Sequence, residues 1–310
     1  MRPLILLFFT FFAVVSAFSH PGDGLDIDSR GNIYFTDVYR KTVWRLMKDG
    51  SLTAVVKNKW AHGLHIDKLD RIWLEVEIDN TRYSIIRIET DGSETTIIEP
   101  KERGFDVYGV NILANEKGDV YFPHSNPPDH FATGIRVRDS EGRTKLLAGG
   151  AEYSQLDGFG NKARFAGINS MRFGPNGNIY VVDQNAVRLV RLDGKVKTLF
   201  KDIKDANPEN QPFDNGNPSV SNRLYGLDIS KEGDIYLAYH GNRCVIKCKD
   251  SKKEIAYRSI KPWSPVGVAL RGDDLIIKET GLEPGSDHPG PRISLLKKDG
   301  TTSILTTLEK

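Results

Sequence analysis

The chain is poor in several residues and motifs by which common classes of protein are known. It has only two cysteines among 310 residues, and its 43 lysines and arginines nearly balance its 41 aspartates and glutamates. Two cysteines cannot build a disulfide framework or complete a tetrahedral zinc site by themselves. A formal net charge of +2 creates no long-range field that would steer nucleic acid or an anionic membrane to the surface. We therefore expect no nucleic-acid partner.

The usual signatures of nucleotide-dependent and nucleophile-based enzymes are missing as well. The sequence contains no Walker loop, nucleophile elbow, paired cysteine and histidine cluster or dinucleotide fingerprint in a strand-turn-helix context. Helical patterns are nearly absent. We expect no organic cofactor, and any chemistry must come from another arrangement of side chains.

The two cysteines, Cys244 and Cys248, fall on one run that predicts a strand. Both side chains point to the same face of that strand, and four residues of extended chain separate their α-carbons by roughly 13 Å. That distance is about twice what a disulfide tolerates. We expect two buried thiols rather than a bridge or a metal pair.

The one long apolar run lies at the start of the chain. MRPLILLFFTFFAVVSA (1–17) has one arginine, an apolar stretch and small residues at its end, which is the pattern of a cleaved secretory signal peptide. A retained membrane anchor is the alternative, but the apolar stretch is shorter than the ~20 residues that a spanning helix needs. The pattern predicts a protein that is secreted or periplasmic, with no stable membrane insertion after cleavage.

A fourteen-residue phrase recurs six times in the rest of the chain. The copies are GLDIDSRGNIYFTD (24–37), GLHIDKLDRIWLEV (63–76), GVNILANEKGDVYF (109–122), SMRFGPNGNIYVVD (170–183), GLDISKEGDIYLAY (226–239) and GVALRGDDLIIKET (267–280). Each copy has an apolar alternating run, a polar turn and a second apolar run. This pattern predicts a β-hairpin that is repeated along the chain.

A third strand, a tight turn and a fourth strand follow each hairpin. The third turns are marked by Asp49-Gly50, Asp91-Gly92, Glu141-Gly142, Asp193-Gly194, Asp250-Ser251 and Asp299-Gly300. Such pairs tolerate the positive φ that short hairpins require. Six four-stranded units predict an all-β fold, a six-bladed β-propeller that occupies residues 18–310 as a single domain.

The strand ends GNIYFTD (31–37), GNIYVVD (177–183) and GDIYLAY (233–239) and the insert LLAGGAEYSQLDGFGNKARFAG (146–167) resemble NHL repeats. That family is related to the senescence-marker and gluconolactonase propellers. The resemblance spans residues 22–308, and it implies that the aromatic of the insert plugs the gap between two blades. It is specific for fold and weak for function, because this architecture carries many activities.

The two ends of the propeller leave no residues for a swapped closing strand. We therefore expect the ring to close by packing blade one against blade six. A Pro- and Asn-rich segment, 202–223, is too polar to pack a core and is interpreted as a lid over one face.

The residue just before each phrase glycine should open onto the channel mouth. These residues are Asp23, His62, Tyr108, Asn169, Tyr225 and Val266. Because each hairpin returns to the same end, the residues near its last position should lie close to them. That second set is Asp37, Glu75, His124, Asp183, His240 and Glu279.

Oxygen ligands from several blades suit a hard cation. Resemblance to lactonases of the senescence-marker and paraoxonase type implies ligands at the position before the glycine. The sequence predicts a Ca²⁺ or Mg²⁺ site made by Asp23, Asn169, Asp183 and Asp37. Aspartates that close an inner hairpin, as Asp37 and Asp183 do, more often accept backbone hydrogen bonds in the following turn than bind ligands.

His62-Gly63 matches a catalytic pair of the paraoxonase-like enzymes, so the resemblance implies that His62 takes a proton from water that attacks a small lactone or ester. Tyr108 and Tyr225 are candidate substrate contacts. Resemblance to virginiamycin-type lyases implies instead that His62 and Glu75 form an elimination pair. The alternative from another class is a non-catalytic platform that binds a protein or glycan through the loops at 126–131, 207–222 and 282–291, with Phe131, Phe213 and Trp263 as anchors.

Overall fold

The computed structural model describes residues 22–79, 82–100, 111–125, 132–150, 152–203, 223–281 and 290–308. The predicted signal peptide at 1–17 lies outside these residues and stays a prediction. Within the described residues no helix is both long enough and apolar enough to cross a membrane.

The first three blades are antiparallel sheets of four consecutive strands. Blade one holds β1 (Leu25–Ile27), β2 (Ile33–Asp37), β3 (Thr42–Leu46) and β4 (Leu52–Lys57). Blade two holds β5 (Trp60–Ile66), β6 (Ile72–Asp79), β7 (Arg82–Ile88) and β8 (Glu94–Ile98). Blade three holds β9 (Leu113–Ala114), β10 (Val120–His124), β11 (Gly134–Arg138) and β12 (Thr144–Gly149).

The last three blades repeat this order. Blade four holds β14 (Ile168–Phe173), β15 (Ile179–Asp183), β16 (Ala186–Val190) and β17 (Lys195–Phe200), and the short β13 (Gly158–Phe159) adds a fifth strand at its outer edge. Blade five holds β18 (Leu224–Ile229), β19 (Ile235–Tyr239), β20 (Cys244–Lys249) and β21 (Lys252–Arg258). Blade six holds β22 (Trp263–Arg271), β23 (Asp274–Gly281), β24 (Arg292–Leu296) and β25 (Thr302–Thr307). A 3-10 turn follows β13 at Gly160–Lys162.

The predicted six-bladed propeller is confirmed, and so is its closure without strand exchange. Blades one and six each consist of four consecutive strands. Leu25, Phe35 and Leu46 of blade one pack against Ile276 and Ile293 of blade six. The ring is therefore closed by apolar side chains, because within the described residues no strand of one end completes the sheet of the other.

Apolar packing between neighbouring blades supplies the core. Six buried clusters occur, one at each of the six interfaces. Phe165 of the insert is fully buried between blades three and four, as the resemblance implied, whereas Phe159 of the same insert is 61% exposed. The third turns also follow the prediction, since their glycines and Ser251 all have positive φ.

The two thiols are as predicted. Cys244 and Cys248 form no disulfide and are buried on β20. Burial raises the pKa of the Cys248 thiol to about 11, so this side chain behaves as a small apolar residue rather than as a nucleophile.

Candidate functional site

The phrase glycines bring the inner strands of neighbouring blades into close contact. A Cβ atom on Gly24 would lie 2.9 Å from the carbonyl oxygen of His62, and one on Gly267 would lie 2.7 Å from the carbonyl oxygen of Asp23. Any side chain would push two blades apart at these points. The glycines therefore explain why the residues before them, from different blades, crowd together at one end of the channel.

Asp23 is the most unusual residue of this group. Its side chain is 4% exposed, and neither of its carboxylate oxygens has a hydrogen-bond partner within the described part of the chain. Burial raises the pKa of Asp23 to about 7, although the positive charge of Lys278 and the Ser170 hydroxyl oppose the rise; that hydroxyl donates its hydrogen bond to Asn111 Oδ1 at 3.3 Å. Buried carboxylates are nearly always paired, so Asp23 stands out among the described residues as a candidate for binding or chemistry.

Lys278 places a fixed positive charge beside Asp23. The side chain is buried on β23, and its Nζ donates to the carbonyl oxygen of Gly22 at 2.8 Å, to that of Gly24 at 3.4 Å and to Thr36 Oγ1 at 2.9 Å. An ammonium group has three protons, and these acceptors use all of them. Burial lowers the pKa of Lys278 to about 8, against the effect of Asp23 and Asp37. Lys278 thus ties blade six to blade one and cannot act as a nucleophile without breaking that tie.

Two of the predicted metal ligands are occupied by arginines. Asp37 accepts from the backbone N of Arg40 at 3.1 Å and from its Nη1 at 2.8 Å. Asp183 accepts from the backbone N atoms of Ala166 and Gly167 at 2.8 and 2.9 Å and from Arg188 Nη1 at 2.6 Å. Asp37 follows the alternative of a turn acceptor, and Asp183 serves the insert that joins blades three and four.

Asn169 and Tyr225 lie at the channel with other partners. Asn169 Nδ2 donates to the carbonyl oxygen of Leu224 at 3.0 Å. Tyr225 is buried, and its ring meets that of His240 edge-on at 5.3 Å between centroids. Burial raises the pKa of the Tyr225 phenol, and the negative charge of Asp23 adds to the rise, which places the two side chains near each other.

His62 is bonded to a glutamate that the sequence interpretation did not select. The His62 ring is fully buried, and its Nε2 lies 3.1 Å from Glu77 Oε2. Glu75, the predicted partner for elimination, is buried two residues earlier on the same side of β6. The carboxylate bonded to His62 Nε2 is that of Glu77, and an elimination pair of His62 and Glu75 stays a prediction. His62 as a catalytic base stays a prediction.

The remaining residues of the predicted set either contribute to the fold or lie outside the described residues. Burial lowers the pKa of His240 to about 4, and Glu279 is fully buried in a two-point ion pair with Arg292, at 2.8 Å for both contacts. Val266 is buried and apolar. Tyr108 lies outside the described residues, so its predicted role is not placed.

The loops predicted to form a binding platform are also largely outside the described residues. The predicted loops 126–131 and 207–222, with Phe131 and Phe213, lie there entirely. The predicted loop 282–291 and the predicted lid 202–223 lie there except for residues 290–291, 202–203 and 223. Trp263, the one predicted anchor that is described, is half-buried, and Arg292 stacks on its ring at 4.5 Å. Among the three predicted anchors, the described one is thus engaged within the fold.

One layer below Asp23, charged side chains close the channel. Arg172 of blade four reaches Asp26 of blade one at 2.7 Å and Asp228 of blade five at 3.3 Å. His65 Nδ1 lies 3.0 Å from Asp26. Burial would raise the pKa of Asp26, but Arg172 and His65 lower it to about 2. Because blades one and four stand opposite each other in a six-bladed ring, this bridge crosses the channel and gives the mouth a floor.

The described residues do not fit the predicted calcium or magnesium shell. Asp37 and Asp183 each form an ion pair with an arginine, and Lys278 already supplies positive charge next to Asp23. Among the residues that the structure describes, no three His, Cys, Asp or Glu side chains are grouped so that they could hold a metal ion. Among the described residues the mouth offers the carboxylate of Asp23, the fixed cation of Lys278 and the phenol of Tyr225.

The fold and this site define the class of the protein, a six-bladed propeller with a polar axial mouth. No family model matches the chain, and the search of curated proteins found no match. Solved structures do resemble it. A putative gluconolactonase is 15% identical with a TM-score of 0.59, and the match covers 93% of this chain and 90% of that one.

Two further solved structures carry other activities in their names. Regucalcin from Agrobacterium tumefaciens, described as a calcium-binding protein, is 17% identical with a TM-score of 0.58, covering 86% of this chain and 84% of that one. Virginiamycin B lyase from Staphylococcus aureus is 14% identical with a TM-score of 0.55, covering 92% and 84%. Identities this low show the fold alone. The predicted likeness to NHL and gluconolactonase-type propellers is confirmed at that level.

Proposed function

We propose that the protein is a hydrolase of small neutral esters or lactones that works by acid-base catalysis at Asp23, and that it acts outside the cytoplasm as the predicted signal peptide indicates. One observation carries the proposal. Asp23 is a buried carboxylate whose two oxygens have no hydrogen-bond partner in the described residues. A fold bears the cost of such a group only when the group has another use.

The chemistry follows from the surroundings of Asp23. The Lys278 ammonium favours its ionised form, while burial favours the neutral form, so the carboxyl can both accept and return a proton near neutral pH. Ionised Asp23 takes a proton from a water molecule while the oxygen of that water molecule bonds to the carbonyl carbon of the substrate. The bond to the leaving oxygen then breaks, and Asp23 returns the proton to that oxygen. The products are a carboxylic acid and an alcohol.

The size and charge of the substrate follow from the walls. The bridge of Arg172, Asp26 and Asp228 closes the channel below Asp23, so a substrate enters and leaves through the mouth alone. Because Asp23 is only 4% exposed, the mouth must open to admit a substrate. Asp23 and Lys278 balance each other, which favours an uncharged substrate.

The test compares two buried aspartates. Wild type, Asp23→Asn and Asp67→Asn are assayed by proton release on a panel of γ-lactones, δ-lactones and aryl acetates. Asp67 is buried at the opposite end of the inner strands and is fully engaged by Arg71 Nε at 2.6 Å and Trp73 Nε1 at 2.8 Å. It controls for the loss of a buried negative charge.

We expect the wild type to hydrolyse at least one member of the panel. Asp23→Asn should lower kcat/KM by about 100-fold or more, and Asp67→Asn should lose stability but keep the activity per folded molecule. Turnover that survives in Asp23→Asn would contradict the assignment. Absence of hydrolysis together with appearance of a new double bond in a substrate would move the reaction to the lyase class.

A further inference from the structure

An open surface cavity lies at the other end of the inner strands from Asp23, between blades one and six. Its volume is about 320 Å³. It is lined by the first turn of blade one (26–31), the corresponding turn of blade six (270–272), Lys48 and Arg172. The bridge formed by Arg172 and Asp26 separates this cavity from Asp23, so the proposed catalytic site does not include it.

Cations outnumber anions in the walls of this cavity. Four lining residues are basic, namely Arg30, Lys48, Arg172 and Arg271, and two are acidic, namely Asp26 and Asp28. The formal charge of the lining is therefore +2 (four minus two). Such an excess in a concave site raises the local concentration of anions.

Both acids are already satisfied by the protein. Asp26 binds Arg172, His65 and the backbone N of Ile66. Asp28 accepts from the backbone N atoms of Arg30 and Asn32 at 3.0 and 2.8 Å and from Asn32 Nδ2 at 2.8 Å. Asp26 thus neutralises Arg172, whereas Asp28 accepts only from neutral groups and forms no ion pair with Arg30, Lys48 or Arg271 in the described residues.

Three of the four basic residues, unlike the two acids, are not engaged by partners in the described part of the fold. Arg172 is paired with Asp26 and Asp228. Arg30, Lys48 and Arg271 form no ion pair within the described residues. These three come from three different turns, two on blade one and one on blade six, so the fold gathers unpaired cations that the sequence keeps apart.

Gly31 is the point on which two of these side chains converge. It adopts a φ of 81°, in the left-handed region that favours glycine. A Cβ atom there would lie 2.7 Å from Lys48 Cε, 3.2 Å from Lys48 Nζ and 3.6 Å from Arg271 Cδ. The absence of a side chain at Gly31 lets a lysine of blade one and an arginine of blade six lie over the same turn.

We propose that this cavity is a binding site for a small oxyanion, a phosphate or sulfate group carried by a sugar-sized molecule. Guanidinium groups present forked donors that match the oxygens of such a group, and lysine adds a point charge. A cavity of about 320 Å³ lies at the small end of the range for ligand pockets, which favours a monosaccharide ester over a nucleotide.

Isothermal titration calorimetry at constant ionic strength tests the proposal. The probes are inorganic phosphate, glucose 6-phosphate, glucose 6-sulfate and neutral glucose, each added to the full-length mature protein in chloride buffer. The variants are Lys48→Gln and Arg271→Gln. Lys195→Gln is the matched control, because Lys195 is an exposed lysine of blade four that does not line the cavity.

We expect glucose 6-phosphate or its sulfate analogue to bind with a stoichiometry of one and glucose not to bind. Each cavity variant should raise Kd by about tenfold, the usual loss for one charged hydrogen bond, with an unchanged unfolding temperature, and Lys195→Gln should match the wild type. Equal affinity for inorganic phosphate would assign the ion alone as the ligand. No binding above chloride, or an equal loss in Lys195→Gln, would overturn the proposal.

Discussion

Asp23 and Asp183 are two buried aspartates at the same end of the channel, and the fold treats them in opposite ways. Asp183 receives two backbone N–H groups and an arginine. Asp23 receives no hydrogen bond from the described residues and has only the more distant charge of Lys278 and its neighbour Ser170 to offset burial. Both had the same predicted role as metal ligands.

The two aspartates differ in hydrogen bonding because different groups surround their carboxylates. The insert between blades three and four brings the backbone of Ala166 and Gly167 over Asp183, and β16 adds Arg188 beside it. Among the described residues, no backbone N–H group or arginine is brought onto Asp23 in this way. A buried carboxylate that is held on every side contributes to stability, whereas one that the fold leaves without partners is a candidate for binding and chemistry.

The comparison is tested most strongly by removing Asp183. Asp183→Ala leaves the fully buried Arg188 guanidinium without its closest partner and two backbone N–H groups without an acceptor. We expect the free energy of unfolding to fall by about 3–5 kcal/mol, as measured by urea denaturation. Asp157→Ala is the control, because Asp157 also binds Arg188, at 3.0 Å, but its side chain is half exposed. A loss for Asp183→Ala no larger than that for Asp157→Ala would contradict the account.

Removing Lys278 should have the next largest effect. Lys278→Met deletes three hydrogen bonds across the interface that closes the ring and leaves Asp23 without its neighbouring positive charge. We expect a loss of about 3 kcal/mol in the free energy of unfolding. In a double-mutant cycle with Asp23→Asn, the second change should recover part of that loss. Strictly additive effects would show that the two side chains do not interact.

The pH dependence of stability should report Asp23 with a smaller effect. Its pKa in the folded protein is raised to about 7 from an ordinary value of 3.8, so between these values the folded state holds a proton that the unfolded state has lost. Stability due to Asp23 is therefore full below pH 4 and declines as the pH rises to about 7. We expect this decline, on the order of a few kcal/mol, to be missing in Asp23→Asn. Chemical denaturation at several pH values measures the difference, and parallel curves for both proteins would contradict it.

The architecture was predictable because it depends on a local pattern that occurs six times. One phrase with alternating apolar residues and a polar turn is ambiguous, but six copies with Asp-Gly turns at matching places have one closed solution. The closure between blades one and six and the two free thiols followed from chain length and strand geometry. These inferences needed no knowledge of which side chains meet across the ring.

The site was predicted in position but not in composition. Asp23 was found because it precedes a phrase glycine. Lys278 was missed because its role depends on reaching across an interface, although a lysine in the apolar strand LIIKET (275–280), where blade four has Val182, is a signal of its own. Glu77 was missed because it lies opposite Trp60, two residues before His62 on β5, and a sequence does not show that the two side chains meet diagonally across the strands.

The most direct test of the central claim is the unfolding temperature of wild type and Asp23→Asn at pH 8, each in calcium and in chelator. If Asp23 is held for a substrate and not for the fold or a metal ion, Asp23→Asn will be at least as stable as the wild type, and calcium will shift neither protein. A wild type that calcium stabilises while Asp23→Asn does not respond would contradict this account and restore the metal site.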